Sequence, residues 1–505
     1  MRDGGYYNNW DFNEDILSHY LRCMERLPVD ILEIGYRSFP QKEYFGKLFY
    51  TPLFILKKIR SFVPSKKIAI MLNERDNSPK RMSELLSDCR EYVDIVRIAV
   101  DPTRLSSAIQ LAESLKELGF QVGFNLMYMS EIVKNPEILT DLQQLNGKVD
   151  YFSLVDSFGG VFPTDVISIV KEIKKILTMP IGFHGHNNIE MSLANSLAAI
   201  DAGCTIIDST ITGMGRGAGN LKTELLLTVL NSKNTSFELD FNALSEVVNV
   251  FLALQDKYRW GTNLPYMVSG ANSLPQKDVM NWVGKNRYSI DSIITALKNK
   301  KDKNLDNVKL PLFSYPSQLK KAVIIGGGIS GIDNSDSIIE YINKNSDICI
   351  IHSSTRNAKL YENVNVPQFY CLVGNEGYRL ESVFNDLHHL EHLCILPPYP
   401  RKMGTYIPKS IETKSYELKE INFIDKFHDS PLTLAIQTAI DLGVSDVEFV
   451  GFDGYGDSMN SSLYELSMEN QIVFDNIYNT FKQVEFLTPT LYKNIPLNSI
   501  FSYLI

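Results

Sequence analysis

His184 and His186 stand one residue apart in the run Gly182-Phe183-His184-Gly185-His186-Asn187-Asn188. In an extended strand, residues i and i+2 point to the same face. The spacing therefore aims two imidazoles at one point, and imidazole is a common ligand for divalent transition metals. Taken alone, the pair reads as two core histidines with satisfied ring nitrogens. A metal site also needs a carboxylate, and the chain must supply one at the same place.

Strands that alternate with helices are what could bring such residues together. The strand candidates in the first part are Ile31–Tyr36, Ile68–Asn73, Asp94–Val100, Gln121–Met127, Asp150–Val155, Ile181–His184 and Thr205–Asp208. Amphipathic segments such as Asp15–Arg26, Arg104–Leu118 and Asp165–Ile176 lie between them. The alternation implies βαβ units and a parallel sheet. The expected fold is an α/β (β/α)8 TIM barrel with its first strand missing or truncated. Arg2-Asp3-Gly4-Gly5 reads as the loop after that first strand, and nothing precedes it in this sequence. Either the strand is lacking or the start codon is set too far downstream. A barrel without it would leave two edges open, which is costly.

In a barrel of this kind the chemistry sits at the carboxyl ends of the strands. Almost every predicted strand end carries a polar residue. The candidates are Arg2 and Asp3, Glu33 and Tyr36, Asn73, Arg97 and Asp101, Asn125, Asp156 and Ser157, His184 and His186, then Asp208 and Thr210. Asp3, His184 and His186 form a plausible metal set. Asp208 and Thr210 read as structural. Asn73, Arg97 and Asn125 are substrate-pocket candidates that read equally as solvated loop residues. Asp156 is a substrate-binding candidate or a carboxylate bonded to its own backbone. Tyr6, Tyr7 and Trp10 read as packing at the barrel rim, and Cys204 as core.

Five motifs follow one another in order: Arg2-Asp3-Gly4-Gly5, Glu33, Asp156-Ser157-Phe158-Gly159, His184-Gly185-His186-Asn187 and the loop Gly213–Asn220. In that order they resemble the HMG-CoA lyase-like metal-dependent aldolases, the DRE-TIM metallolyases. That group includes 4-hydroxy-2-oxovalerate aldolase, HMG-CoA lyase and isopropylmalate synthase. The resemblance covers roughly the first 300 residues. It is strongest to the 4-hydroxy-2-oxovalerate aldolase-like proteins, through Gly4–Trp10 and Trp260-Gly261-Thr262-Asn263-Leu264-Pro265-Tyr266.

The resemblance implies an enzyme that makes or breaks a C–C bond next to a 2-oxo acid such as pyruvate, with an aldehyde as the other partner. It implies that Asp3, His184 and His186 hold Mn2+ or Mg2+, with Asn220 as a fourth ligand. Arg2 would stand beside the enolate oxygen and Glu33 would orient Arg2. One position departs from the 4-hydroxy-2-oxovalerate aldolases. Where they carry a histidine three residues after the metal aspartate, this chain has Tyr6. A phenol with an ordinary pKa near ~10 is a poor base at neutral pH, so Tyr6 or Tyr7 is expected to act as an acid. His19 is the weaker alternative. A Claisen-type synthase using an acyl-CoA is another reading.

The expected domains are a barrel with a helical extension over 1–300 (the extension about 240–300), a linker over 301–317 and a smaller α/β domain over 318–505. The linker is read from the polar run Asn299–Asn307. The second domain has strand candidates Ala322–Ile325, Ile348–His352, Phe369–Val373, Leu393–Leu396, Val447–Gly451 and Val484–Leu487, which predict a Rossmann-like sheet. Gly326, Gly328 and Gly331 fit GxGxxG after a strand, the context of a phosphate cradle. The next strand ends in His352-Ser353-Ser354, with no acid for a ribose hydroxyl, which disfavours NAD. With Asp453 in the run Val447–Gly456, the domain resembles those of the pterin pyrophosphokinase-like and sialyltransferase-like groups. That resemblance implies a nucleotide or nucleotide-sugar partner and a place in surface-carbohydrate synthesis. The alternative to the enzyme is then a nucleotide-binding protein or transferase on an inactive barrel. His388, His389 and His392 read as a helix surface.

Composition narrows the field further. Of 505 residues, 44% are hydrophobic and 22% charged, which suits a globular chain of two or three domains. The net charge of -9 argues against nucleic acid as a partner. Six scattered cysteines without a CxxC pair, together with no predicted signal peptide or membrane span, point to a cytoplasmic protein, with an oligomer allowed.

Overall fold

Seven parallel strands make the first sheet: β1 Ile31–Tyr36, β2 Lys67–Asn73, β3 Ile95–Val100, β4 Gln121–Leu126, β5 Tyr151–Asp156, β6 Ile181–Gly185 and β7 Ile206–Asp208. They lie side by side in chain order, each parallel to the next. This is the strand order of a TIM barrel, with β1 and β7 as its two ends. The computed structural model describes residues 1–233, 238–285, 287–303, 308–316, 319–388, 391–401, 406–455, 461–477 and 480–505.

The sequence dictates these elements locally. Central strands such as β6 are buried along their whole length, as strands of a parallel sheet covered on both faces must be. The helix Glu14–Arg26 begins at Asn13, whose side chain accepts from the Asp15 amide. Glu14 and Asp15 sit in its first turn and Arg26 in its last, each on the favourable end of the helix dipole. It buries Leu17, Tyr20, Leu21 and Met24, one stripe at helical spacing. The helix Pro163–Ile176 starts with Pro at its first turn, and Asp165 accepts from the Phe162 amide.

Between β1 and β7 runs a cavity of about 500 Å³. Its walls reach from Val29 and Cys204, at the amino ends of these strands, to Glu33 and Asp208 at their carboxyl ends. Its upper end is bounded by Arg2, Asp3 and His184. Asp3–Tyr7 form a short 3-10 turn, fastened where Trp10 Nε1 donates to the Arg2 carbonyl at 2.7 Å.

The chain divides into two units, Met1–Met280 and Asn281–Ile505. This boundary lies earlier than the expected linker. Residues 299–301 belong to the helix Ile290–Lys301, whose three lysines in the last turn suit its carboxyl end. Arg287 ties the start of the second unit to its interior through Glu469 and the Asp429 carbonyl. Residues 304–307 of the expected linker lie outside the described residues.

The second unit carries β8 Lys321–Ile325, β9 Ile348–His352, β10 Gln368–Cys371, β11 Leu393–Leu396, β12 Ser415–Glu417, β13 Asp446–Val450 and β14 Gln483–Phe486. Their order is β12-β11-β10-β9-β8-β13-β14, all parallel. The strand order reverses between β8 and β13, as in doubly wound sheets. β12 is absent from the sequence reading because three residues carry too little pattern. The expected histidine surface is also corrected. The helix Glu376–Phe384 ends before His388, which is exposed, and His392 packs 5.9 Å from Tyr370. His389 lies outside the described residues. No described helix is long and apolar enough to cross a membrane.

Candidate metal centre

β6 delivers both histidines to the carboxyl end of the sheet, and each ring is gripped from behind. His184 Nδ1 lies 3.0 Å from Asp208 Oδ2 at the end of β7. His186 Nδ1 lies 2.8 Å from the Asp156 carbonyl at the end of β5. In the neutral ring a proton on Nδ1 satisfies each of these contacts and leaves the Nε2 lone pair for a metal. Both Nε2 atoms turn toward Asp3 Oδ2, at 3.3 Å from His184 and 3.9 Å from His186.

Asn220 joins them from the loop after β7. Its backbone bridges to His186, and its side-chain amide donates to Asp3 Oδ2 at 2.6 Å. Among the described residues its Oδ1 is buried and has no partner. The loop must be rich in glycine to reach this position. Gly219 has φ near +79°, and a Cβ there would sit 2.2 Å from the Gly213 carbonyl.

The electrostatics suit a cation. Burial works against charge on Asp3, yet Arg2 and His184 hold its carboxyl well below the usual range. Burial also opposes a proton on His184, but Asp208 and Asp3 outweigh it and push its pKa up to about 9. His186, buried beside His184, is pushed down to about 3. Asp3, His184 and His186 offer one oxygen and two nitrogens, all within 4.8 Å of one another. A mixed oxygen and imidazole set with an orphaned amide oxygen beside it fits a divalent metal ion.

Around this cluster runs a closed ring of charged contacts. Arg2 pairs with Asp3 and, through Nε, with Glu33 Oε2 at 2.8 Å. Glu33 Oε1 accepts from Arg97 at 3.1 Å, and Arg97 Nη2 donates to Asp208 Oδ2 at 2.7 Å. Asp208 then meets His184, which returns to Asp3. All six side chains are largely buried, so each charge is paired where water cannot screen it.

The candidates named from sequence thus separate. Arg2, Asp3, Glu33, Arg97, His184, His186 and Asn220 come together. Asn125 stands one step behind, accepting from Arg97 Nε at 3.0 Å. Asp156 shows the backbone bonding that is the alternative to a substrate contact. It is fully buried and accepts from the Gly160 and Val161 amides. Asn73 is exposed at the end of β2 and donates to Asp76. Asp208, read as structural, is the residue that orients His184. Register could have found it, since the two Cα atoms are partners across β6 and β7. A second cluster, His19, Cys23 and Glu246, also brings ligand atoms within 4.8 Å. Burial and the Glu246 carboxylate push the Cys23 thiol up to about 11, and Arg26 already reaches Glu246 at 3.6 Å.

The family model described as HMGL-like matches residues 81–251. The crystal structure of the N-terminal domain of a candidate aldolase from Bacteroides vulgatus is 52% identical. It covers 58% of this chain and 97% of that one, with a TM-score of 0.56. The chain belongs to the HMGL-like family. Its curated relatives include the 4-hydroxy-2-oxovalerate aldolases of Chloroflexus aggregans and Geobacillus genomosp. 3. The first is 28% identical over 258 residues, 50% of this chain and 74% of that protein. The second is 29% identical over 244 residues, 48% and 71%.

In this HMGL-like chain, Tyr6 is half-buried at the edge of the centre. Its hydroxyl lies 3.3 Å from that of Tyr36, and the Arg216 guanidinium stands 5.1 Å from its ring centroid. Neither Tyr36 nor Arg216 was assigned a role from sequence. Tyr7 faces elsewhere and donates to the Gly217 carbonyl at 3.1 Å.

In the second unit's glycine loop an aspartate of the chain stands where a phosphate cradle is expected. Asp453 already fills it, accepting from the Ser330 amide at 3.0 Å and from the Ser330 hydroxyl. A phosphate would meet that carboxylate. Close packing accounts for the glycines. A Cβ at Gly326 would lie 2.4 Å from the Gly451 carbonyl, and one at Gly328 would lie 2.6 Å from Asp453 Oδ1. Gly331 likewise packs against Gly451, with 3.3 Å from its Cβ position to that Cα. The helix that follows, Ser330–Asp333, has one turn.

Proposed function

We propose that the first unit is a divalent-metal aldolase acting on a 4-hydroxy-2-oxo acid, with pyruvate as the 2-oxo product. One observation carries this reading: Asp3 and two imidazole Nε2 atoms converge beside the paired guanidinium of Arg2, and Asn220, whose Oδ1 has no partner among the described residues, bonds to Asp3 through its amide nitrogen. Bound Mn2+ or Mg2+ would supply a Lewis acid for the keto oxygen and the enolate derived from it.

The chain's own groups do the rest. In the cleavage direction, the bond between C3 and C4 breaks as the C4 hydroxyl loses its proton. That carbon becomes an aldehyde, and the bonding pair moves to C3 and the C2 oxygen as the enolate of pyruvate. A proton returned to C3 completes pyruvate, so one proton moves and none is lost. Arg2 places a permanent positive charge where the oxygen becomes negative. Glu33 holds Arg2 in plane through Nε. In this reading Tyr6, whose hydroxyl lies 3.3 Å from that of Tyr36, relays that proton.

The test is pyruvate release from 4-hydroxy-2-oxopentanoate, coupled to lactate dehydrogenase. Activity is expected to vanish with a chelator and return with Mn2+ or Mg2+. Asp3→Asn and His184→Ala are each expected to lower it by at least about a thousandfold, the loss that follows when a main charge-stabilising group is removed. Solvent deuterium entering the methyl group of pyruvate gives a second readout that needs no aldehyde. Unchanged activity in both variants, or wild-type protein without either activity, would sink the reading.

A further inference from the structure

We infer that Arg216 is the anchor for an anionic group, a carboxylate or a phosphate, on the aldehyde half of the substrate. The inference rests on the aldolase reading above and adds to it the chemical class of the second product.

Three arginines surround the centre, and they are not equivalent. Arg2 and Arg97 are spent on Asp3, Glu33 and Asp208. No carboxylate among the described residues pairs with Arg216, and its Nε is buried without a hydrogen-bond partner. A permanent cation with a buried, unpaired donor is costly unless a ligand completes it. A forked guanidinium is also the side chain best matched to carboxylate and phosphate oxygens.

Its position is fixed relative to the metal ligands. Arg216 sits between Gly215 and Gly217 in the loop that presents Asn220, and a Cβ at Gly215 would lie 2.6 Å from Asn220 Nδ2. Its charge acts on His186. Its guanidinium lies over the ring of Tyr6, 5.1 Å from the centroid. Tyr6 is the hydroxyl assigned to the proton on the C4 oxygen. Arg216 therefore stands on the side where the substrate continues beyond C4. A metal held by Asp3, His184 and His186 would take the 2-oxo acid end of the substrate, which leaves Arg216 for a second anion.

The experiment uses the full chain loaded with Mn2+, pyruvate and matched aldehydes in the condensation direction. Glyceraldehyde 3-phosphate is set against glyceraldehyde, and succinic semialdehyde against butanal. At least one anionic member is expected to be used about a hundredfold better than its neutral match, the effect of one charge-assisted anion contact. The pair that shows it tells phosphate from carboxylate. Arg216→Met is expected to erase the preference through KM, with neutral aldehydes and deuterium exchange into pyruvate unchanged. Arg216→Lys should restore part of it. Exchange in the wild type without any anion preference overturns the assignment alone, a result that needs no variant to fold. Slowed exchange in Arg216→Met also overturns it, because Arg216 would then serve the 2-oxo acid. Absence of exchange in the wild type overturns the aldolase reading, and this inference falls with it.

Discussion

The mouth of the first sheet and the turn after β8 look alike in sequence. Each is a glycine-rich loop at the carboxyl end of parallel strands, and each brings an aspartate to the turn. They differ in what the aspartate does. Asp453 spends its oxygens on Ser330, which closes its own loop. Asp3 keeps an oxygen facing two imidazole nitrogens, with an amide oxygen nearby that bonds to nothing described. A ligand site is marked by polar groups that packing gathers and leaves incomplete. The presence of glycine and aspartate alone does not mark one.

The largest expected effect lies in the charged ring. Arg97→Met leaves Glu33 with Arg2 and Asp208 with His184 but removes the cation that the two carboxylates share. Removing one member of a buried ionic network costs about 3–5 kcal/mol. Urea unfolding of the variant should show a loss of that size. A loss below about 1 kcal/mol would mean that the ring behaves like a set of surface ion pairs.

A histidine in each unit sharpens the contrast. The carboxylates around His184 favour its charged form, whereas His352 is buried on β9 beside Tyr370 with Gln368 as its hydrogen-bond partner. Burial pushes the His352 pKa down to about 4. In the unfolded chain it would titrate near ~6.5, so below that pH the unfolded state binds the extra proton. Stability is therefore full above about pH 6.5 and falls toward pH 4, by up to about 3 kcal/mol from this group. His352→Gln should flatten that slope in denaturation curves taken across the range. An NMR titration in which the His352 ring shifts with a midpoint near ~6.5 would remove the basis for the expectation.

Much of this was legible before the structure. The strands of the first sheet follow from their apolar runs, and the His-x-His pair follows from the two-residue period of a strand. The ring was not legible, because its contacts join residues 31, 64 and 111 positions apart whose meeting depends on sheet register. Asn73 shows the limit of reading strand ends. It has the right place in the chain and shares a face with the buried Met71, but at the strand's last position it is exposed and bonded to Asp76. Arg216 was passed over because its significance lies in a missing partner, which no spacing reveals. The domain boundary shifted because a polar, lysine-rich run can be the last turn of a helix as readily as a linker.

Asp208 tests whether the histidines are held or merely nearby. Asp208→Asn keeps the shape but replaces the carboxylate behind His184 Nδ1 with an amide. Loss of such a supporting carboxylate typically weakens metal affinity about 10- to 100-fold, or about 1.4–2.7 kcal/mol. Mn2+ titration followed by the relaxation of water protons should show that loss. An unchanged affinity would mean that β6 alone fixes the ring.

The smallest expected effect returns to the second loop. Asp453→Ala strips the Ser330 amide and hydroxyl of their acceptor. Ser330 is largely buried, and a donor left unsatisfied in such a place costs about 1–3 kcal/mol. Because Thr488 still lies 3.0 Å from the Ser330 hydroxyl, the loss should fall at the lower end of that range. Inorganic phosphate and ATP are expected not to bind the wild-type loop, since the Asp453 charge occupies the place of theirs. Isothermal titration of the full chain checks this. ATP that binds the wild type, and binds more weakly after Asp453→Ala, would turn the aspartate from a plug into a ligand contact. The two loops would then differ less than their hydrogen bonds indicate.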